Sequence, residues 1–309
     1  MALFRDIQAF REASPRAVIA IGNFDGVHAG HRHVLAEAVR LADASAVAAA
    51  VLTFDPHPVR YFRPELPEFR LTTLTERALL LEDIGIAHLL AMPFDAELAG
   101  QSPQTFVQQI LVDGVGASHV LVGEGFRFGH KRAGDTQILT DLCKAADIEV
   151  HVASLHEVGG HVVSSTAIRA ALSRADFDTV RSLLGRNFVV TGNVVHGDAR
   201  GRAMGYPTAN VATEPRLLPP DGIYATWLYE GDRRYPSATY VGTRPTFEGE
   251  DRRIESFVLD AKGPVDLYEK DVVVEFVGHV RGDAKFDSAE ALMAQMALDV
   301  AAAKKMLKS

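Results

Sequence analysis

The sequence predicts two domains of different class: an α/β half built on a parallel sheet, then an all-β half closed by a helix. Three observations predict this. The chain has 309 residues, and at ~150 residues per domain that length points to two. In the first half, short apolar runs alternate with amphipathic helical patterns, the signature of a parallel sheet covered on both faces. After residue 185, spaced strand-like runs separated by Gly, Pro and Asp clusters take over, which reads as an antiparallel barrel or sandwich.

The elements follow in order. Residues 17–22 (AVIAIG) are a buried strand. A Gly-punctuated loop leads to a helix over 31–41, then a strand over 46–54 and a turn carrying Pro56, Pro58, Pro64 and Pro67. A helix over 75–84 and a strand over 87–92 come next. Ser102 caps a helix that starts at Pro103 and reaches residue 112. A strand (118–122), a helix (135–146) and a strand (148–153) precede two helices, 165–173 and 177–184, the second ended by Gly185. Strands over 188–195, 222–229, 237–241, 254–259 and 272–280 and a helix over 288–307 make up the rest. The expected domains are therefore 1–185 and 186–309.

Hydrophobic residues make up 47% and charged residues 23%, which excludes a mainly disordered chain. Asp plus Glu is 40 against Lys plus Arg 32, a net charge of −8. A nucleic-acid partner would call for a basic excess, so any phosphate must be met by local devices. The one cysteine, Cys143, cannot form an internal disulfide; it fits a reducing cytoplasm and reads as a small buried apolar residue. The first ten residues do not read as a signal peptide, and no run approaches the ~18 apolar residues of a membrane span. Oligomeric state is left open, a homo-oligomer included.

Several motifs break on inspection. Gly123-Glu124-Gly125 starts like a dinucleotide fingerprint, but Phe128 stands where the third Gly belongs. His156 and His161 are one residue too far apart for HExxH. A GxxxxGK[ST] loop and a GxSxG elbow are absent.

Two regions carry chemistry. GNFDGVHAGH (22–31) follows the first strand and opens the first helix. Gly22, Gly26 and Gly30 let backbone bend around a ligand, the helix start offers free N–H groups, and His28 and His31 can donate to phosphate oxygens. Nucleotidyl transfer needs such fixed donors. Ser164, Ser165, Thr166 and Arg169, at a later helix start, are of the same kind. In the second half, Thr208 and Asn210 lie two apart, so an extended segment turns both side chains one way; their oxygens suit Mg²⁺. Glu255 can accept the proton of an attacking hydroxyl. Each string alone also fits a plain role: a Gly-rich turn, a helix cap, a Pro turn, a surface glutamate.

The ordered set GNFDGVHAGH, TFDPHP, VGEGFRFG, SSTAIR is similar to the adenylyltransferase half of prokaryotic bifunctional FAD synthetases, over residues 15–185. The set GRAMGYPTAN, DGIYA, VGTRPTF, ESFVLD, DLY, KF resembles riboflavin kinase, over residues 186–309. The resemblance implies a Rossmann-like nucleotidyltransferase fold followed by a six-stranded antiparallel barrel. It implies ATP-dependent phosphorylation of riboflavin to FMN, then transfer of AMP from ATP to FMN, with Mg²⁺ as the ion. On it, His28 and His31, with Gly22, Phe24, Asp25, Gly26 and Gly30, hold the ATP phosphates, and Ser164, Ser165, Thr166 and Arg169 their β/γ end. Phe54, His57, Phe62, Phe126 and Phe128 form the flavin side. In the kinase, Thr208 and Asn210 hold Mg²⁺, and Glu255 is the general base. Gly201, Arg202 and Gly205 belong to a flap over ATP, and Arg281 and the Lys285-Phe286 segment help close the flavin pocket.

The chain departs from the family pattern twice. Gly125 replaces the Asn or Asp that many members carry before Phe126, and Phe257 replaces a His. Two other readings remain: a kinase with a weak or inactive first half, for which Gly125 is the only support, and a flavin-binding regulator, which would need no base such as Glu255.

Overall fold

The computed structural model describes residues 1–196, 208–246, 249–260 and 265–308. The chain divides into two compact units: Met1–Pro67 with Leu74–Ser164, and Glu68–Thr73 with Ser165–Ser309.

The first unit is a six-stranded parallel sheet of β1 (Ala2–Phe4), β2 (Ala17–Ile21), β3 (Ala48–Asp55), β4 (His88–Pro93), β5 (Ala117–Gly123) and β6 (Glu149–Ala153), in the order β1-β4-β3-β2-β5-β6. Its helices are α1 (Ile7–Ala13), α2 (Ala29–Ser45), α3 (Pro58–Phe62), α4 (Leu74–Glu82), α5 (Ala96–Gly100), α6 (Pro103–Phe106), which runs on as a π-helical segment Val107–Gly114, and α7 (Thr136–Lys144). A small hairpin pairs β7 (Glu157–Val158) with β8 (His161–Val162).

The pleat explains the unbroken apolar runs. Ala17, Ile19 and Ile21 of β2 join one buried cluster with Leu111, Leu139 and Cys143. Val18 and Ala20 join a second with Leu35, Ala38 and Leu81. Alternate side chains serve opposite faces, and both faces are covered. Burial pushes the Cys143 thiol up to about 11, so it stays an inert apolar residue, as the sequence implies.

The strand order positions the site. From β2 the chain steps to β3 and β4, then returns to lay β5 on the other side of β2. Strand order therefore reverses at β2, and such sheets bind ligands outside the carboxyl ends of the strands there.

The second unit has α8 (Ser165–Leu172), α9 (Phe177–Leu184), a barrel of β9 (Phe188–Val195), β10 (Thr208–Ala212), β11 (Gly222–Glu230), β12 (Arg233–Thr246), β13 (Gly249–Val258) and β14 (Asp271–Gly282), and α10 (Ala289–Lys308). The barrel is closed in the order β10-β13-β12-β11-β14-β9 and antiparallel throughout. Closure settles the choice between barrel and sandwich, and it removes the exposed sheet edges a sandwich keeps.

Tyr224, Leu228, Val241, Ile254, Val274 and Phe276 are buried. Among them run three buried hydroxyls, Thr226, Thr239 and Ser256, linked at 2.6 and 2.8 Å, the pairing that buried polar groups require. Phe177 of α9 stacks on Phe276 at 5.8 Å. Outside the barrel, Ala303 of α10 packs with Ala225 and Leu259.

Candidate functional site

In the first unit, three candidate segments leave the carboxyl ends of neighbouring strands: 22–31 after β2, the Phe54–Phe62 region after β3 and 123–128 after β5. The first is tightly built. Phe24 and Val27 have φ of 47° and 40°, a left-handed conformation that costs non-glycine residues energy and gathers at functional sites. His28 caps α2, its Nδ1 accepting from the His31 backbone N–H at 3.2 Å. A neutral His28 therefore carries its proton on Nε2. The His28 and His31 rings stack, with centroids 3.5 Å apart and planes 15° apart. Gly30 permits this closeness: a β-carbon there would sit 3.3 Å from His156 Cβ and 3.4 Å from the His28 ring.

His31 Nδ1 is buried without a hydrogen-bond partner. Burial, then the nearby His28 and Arg77, hold the His31 pKa well below the usual histidine value. The ring is therefore neutral at pH 7, a hydrogen-bond donor rather than a cation. Positive potential comes from α2's N-terminus and from Arg77. Arg77 Nη1 donates to Thr53 Oγ1 at 3.2 Å, and Thr53 Oγ1 donates to Asn23 O at 3.4 Å. Arg77 and its neighbour Glu76 are buried on α4. Sequence reasoning missed both, although two adjacent charges inside an apolar helix were a signal.

The segment after β3 carries aromatic rings. Phe54, Tyr61 and Phe62 each lie within 5.8 Å of Phe94, and Phe62 is 64% exposed. His57 caps α3 through Nδ1, which accepts from Val59 N–H at 3.1 Å. After β5, Phe126 stacks on Phe128 at 5.5 Å. Phe128 is buried in the core against Phe106, while Phe126 is partly exposed. Asp25, within the 22–31 loop, is buried. Ser164 ends the first unit; Ser165, Thr166 and Arg169 begin the second on α8, where Arg169 Nε donates to Phe69 O at 2.9 Å.

In the second unit, register gathers the candidates. Asn210 on β10 pairs with Glu255 on β13, and Glu255 pairs with Tyr240 on β12. Thr208 is on the same face as Asn210, and its Oγ1 lies 3.5 Å from Glu255 Oε2. All four side chains are half-buried, whereas their neighbours Ala209, Thr239, Ile254 and Ser256 are buried. A hydroxyl, an amide and a carboxylate on one face form a hard-oxygen set that fits Mg²⁺.

Tyr240 is a further residue the sequence reading missed. Gly242 leaves no room for a β-carbon beside the Tyr240 ring. Burial, then Asp283, Asp221 and Glu255, raise the Tyr240 pKa against an opposing pull from Arg281, so its hydroxyl stays a donor. Asp221 accepts from Thr243 N–H at 2.9 Å and from Arg252 Nη2 at 2.8 Å. Arg281 grips buried Asp299 of α10 with both Nε and Nη2, at 2.9 and 2.8 Å, and lies 5.6 Å over the Phe286 ring. Gly201, Arg202 and Gly205 lie outside the described residues.

The comparisons agree in both halves. Residues 10–167 match the family described as FAD synthetase, and residues 184–307 match the family described as riboflavin kinase. A bifunctional riboflavin kinase/FMN adenylyltransferase of Pseudomonas fluorescens is 37% identical, over 98% of this chain and 97% of its own. A protein of the same description from Escherichia coli K12 is 34% identical, over 97% and 96%. A crystal structure described as a macrolide-efflux protein from Streptococcus pneumoniae superposes with a TM-score of 0.85 at 27% identity, covering 98% of each chain. Efflux is said of that protein; among the described residues here, no helix is long and apolar enough to cross a membrane. With both halves matched over nearly its whole length, the chain belongs to the family of bifunctional riboflavin kinase/FMN adenylyltransferases.

Proposed function

We propose that the barrel unit phosphorylates riboflavin to FMN and the parallel-sheet unit adenylylates FMN to FAD, both from ATP, in the cytoplasm. The observation that carries the first step is the oxygen face of Thr208, Asn210 and Glu255. Glu255 takes the proton of the ribityl 5′-hydroxyl as that oxygen attacks the γ-phosphorus. Mg²⁺, held by Thr208 and Asn210, would neutralise charge on the ATP phosphates. Tyr240 donates a hydrogen bond beside the base, and Arg281, positioned by Asp299, closes the flavin side with Phe286.

The second step rests on the stacked His28–His31 pair at the start of α2. FMN phosphate attacks the α-phosphorus of ATP and pyrophosphate leaves. The imidazole N–H groups of His28 and His31, the latter neutral, and the α2 backbone stabilise the charge that develops, so the step needs no protein nucleophile. Gly22, Phe24, Asp25, Gly26 and Gly30 shape that loop. Phe54, His57, Phe62 and Phe126 wall the isoalloxazine, with Phe128 behind Phe126. Ser164, Ser165, Thr166 and Arg169 are assigned to the β/γ-phosphates, and Gly201, Arg202 and Gly205 to the kinase flap, on residue chemistry and resemblance. The functional boundary is placed at residue 185, giving domains 1–185 and 186–309. The substrates are small molecules; nucleic acid is not a partner.

The test is direct. The chain is incubated with riboflavin, ATP and Mg²⁺ and the flavins are separated over time. FMN is expected first and FAD after it; accumulation of FMN with no FAD would leave a kinase alone.

A further inference from the structure

Away from both sites, the described residues contain one cluster of metal-ligating side chains: His119 of β5 with Glu149 and His151 of β6, their ligand atoms within 4.8 Å of one another. Register brings them together. His119 pairs with Glu149 across the parallel strands, and His151 follows two residues later, so the pleat turns all three to one face. β6 is the edge strand, hydrogen-bonded to β5 alone.

The spacing suits a shared ion. Glu149 Oε2 is 3.7 Å from His119 Nε2, and its Oε1 is 3.4 Å from His151 Nε2. Neither is a normal hydrogen-bond length. Ligands of a tetrahedral zinc, with bonds of ~2.1 Å, stand about 3.4 Å apart.

The proton pattern points the same way. Ser118 Oγ donates its single proton to Ala17 O at 3.1 Å, so it accepts from His119 Nδ1, also at 3.1 Å. The tautomer that satisfies both contacts puts the His119 ring proton on Nδ1 and turns the Nε2 lone pair toward Glu149. This is how outer hydrogen bonds orient metal-bound histidines. His151 Nε2 is buried and has no hydrogen-bond partner, a costly state for a polar atom unless something else takes its lone pair.

We propose that His119, Glu149 and His151 bind one divalent cation of the zinc class, clipping the edge strand β6 to β5. Two imidazoles and one carboxylate suit zinc or cobalt; magnesium prefers an all-oxygen set. Three protein ligands leave the fourth position to water.

The test uses the full chain, stripped of metal and free of nucleotide and flavin. Zn²⁺ is titrated by calorimetry and Co²⁺ by visible absorption. One equivalent of Zn²⁺, and a Co²⁺ spectrum of tetrahedral intensity, should be lost in the His119→Ala/His151→Ala double variant. Ser118→Ala should weaken binding about 10–100-fold by freeing the His119 ring. Both activities should persist in the double variant and report its fold. If it does not fold, His151→Gln, which keeps a polar side chain but removes the ligand, should show the same loss. A Zn²⁺ stoichiometry unchanged by the folded variant, or no tetrahedral Co²⁺ spectrum in the unaltered chain, overturns the proposal.

Discussion

The candidate sites of the two units offer an anionic nucleotide opposite chemistry. The parallel-sheet unit offers nitrogen donors: the start of α2, stacked His28 and His31, and Arg77 beneath. The barrel offers oxygen acceptors: Thr208, Asn210 and Glu255 across paired strands. Donors bind phosphate directly, whereas acceptors need a cation between them and the phosphate. The difference follows from architecture. A helix that starts at a sheet's switch point presents free N–H groups; a closed barrel pairs its backbone and leaves only side chains. In a chain of net charge −8, neither unit relies on its overall field.

The largest effect should come from breaking the acceptor side. Glu255→Gln keeps size and removes the carboxylate proposed as the base, so FMN formation should fall about 10²–10⁴-fold. FMN-to-FAD conversion by the same variant should keep its rate. Loss of both steps in a folded variant would mean that the two units do not each carry one step.

Next is the donor side. His31→Ala removes one fixed donor, and loss of such a donor costs about 10²–10³-fold in kcat. Adenylylation of supplied FMN should drop by that amount while riboflavin phosphorylation persists. An effect confined to KM would make His31 a ground-state binder only.

The candidate residues also show what was legible in the sequence. Glu255, His28 and His31 sit in dense local strings, and the strands around them announce themselves as apolar runs. β10 did not: Thr208 to Ala212 is five residues long and directly follows Pro207 in the sequence, and its strand identity comes from β9 and β13. β1 and α1 were missed for a similar reason. Three and seven residues are too short to show a period, and β1 is held in place by β4. Tyr240, Arg77 and Asp299 owe their places to register or tertiary burial, which one sequence does not encode at any fixed spacing. The neutrality of His31 was invisible for the same reason, since burial sets it.

That neutrality gives a smaller effect on stability. The folded pKa of His31 is depressed, so between it and the unfolded value of about 6.5 the unfolded chain binds a proton that the folded chain lacks. Stability should therefore fall as pH drops below about 6.5, by at most about 1.4 kcal/mol per pH unit from this group. His88 is shifted the same way, by burial and the Met1 amino group, so His31→Gln should remove only part of the slope. Melting temperatures from pH 5 to 8 for both chains check this; parallel curves would mean that His31 does not titrate as its burial dictates.

The smallest effect asks whether the donor side is complete. Gly125 precedes Phe126, the partly exposed ring of the stacked Phe126–Phe128 pair. A β-carbon on Gly125 would meet nothing within 4 Å, and its φ is not in the left-handed region. Gly125→Asn therefore has room and no backbone penalty, and replacing glycine at a compatible position restrains the unfolded chain by about 0.4–1 kcal/mol. The new amide would add one polar contact at the mouth of the first unit. A neutral hydrogen bond contributes about 0.5–1.5 kcal/mol, which is a roughly 2–10-fold gain in kcat/KM for FMN. Riboflavin phosphorylation should not change, because Gly125 belongs to the other unit. A gain would show that the donor site gives up binding energy at this position; no change, with stability kept, would mean that the helix start and the two histidines already supply what the step requires.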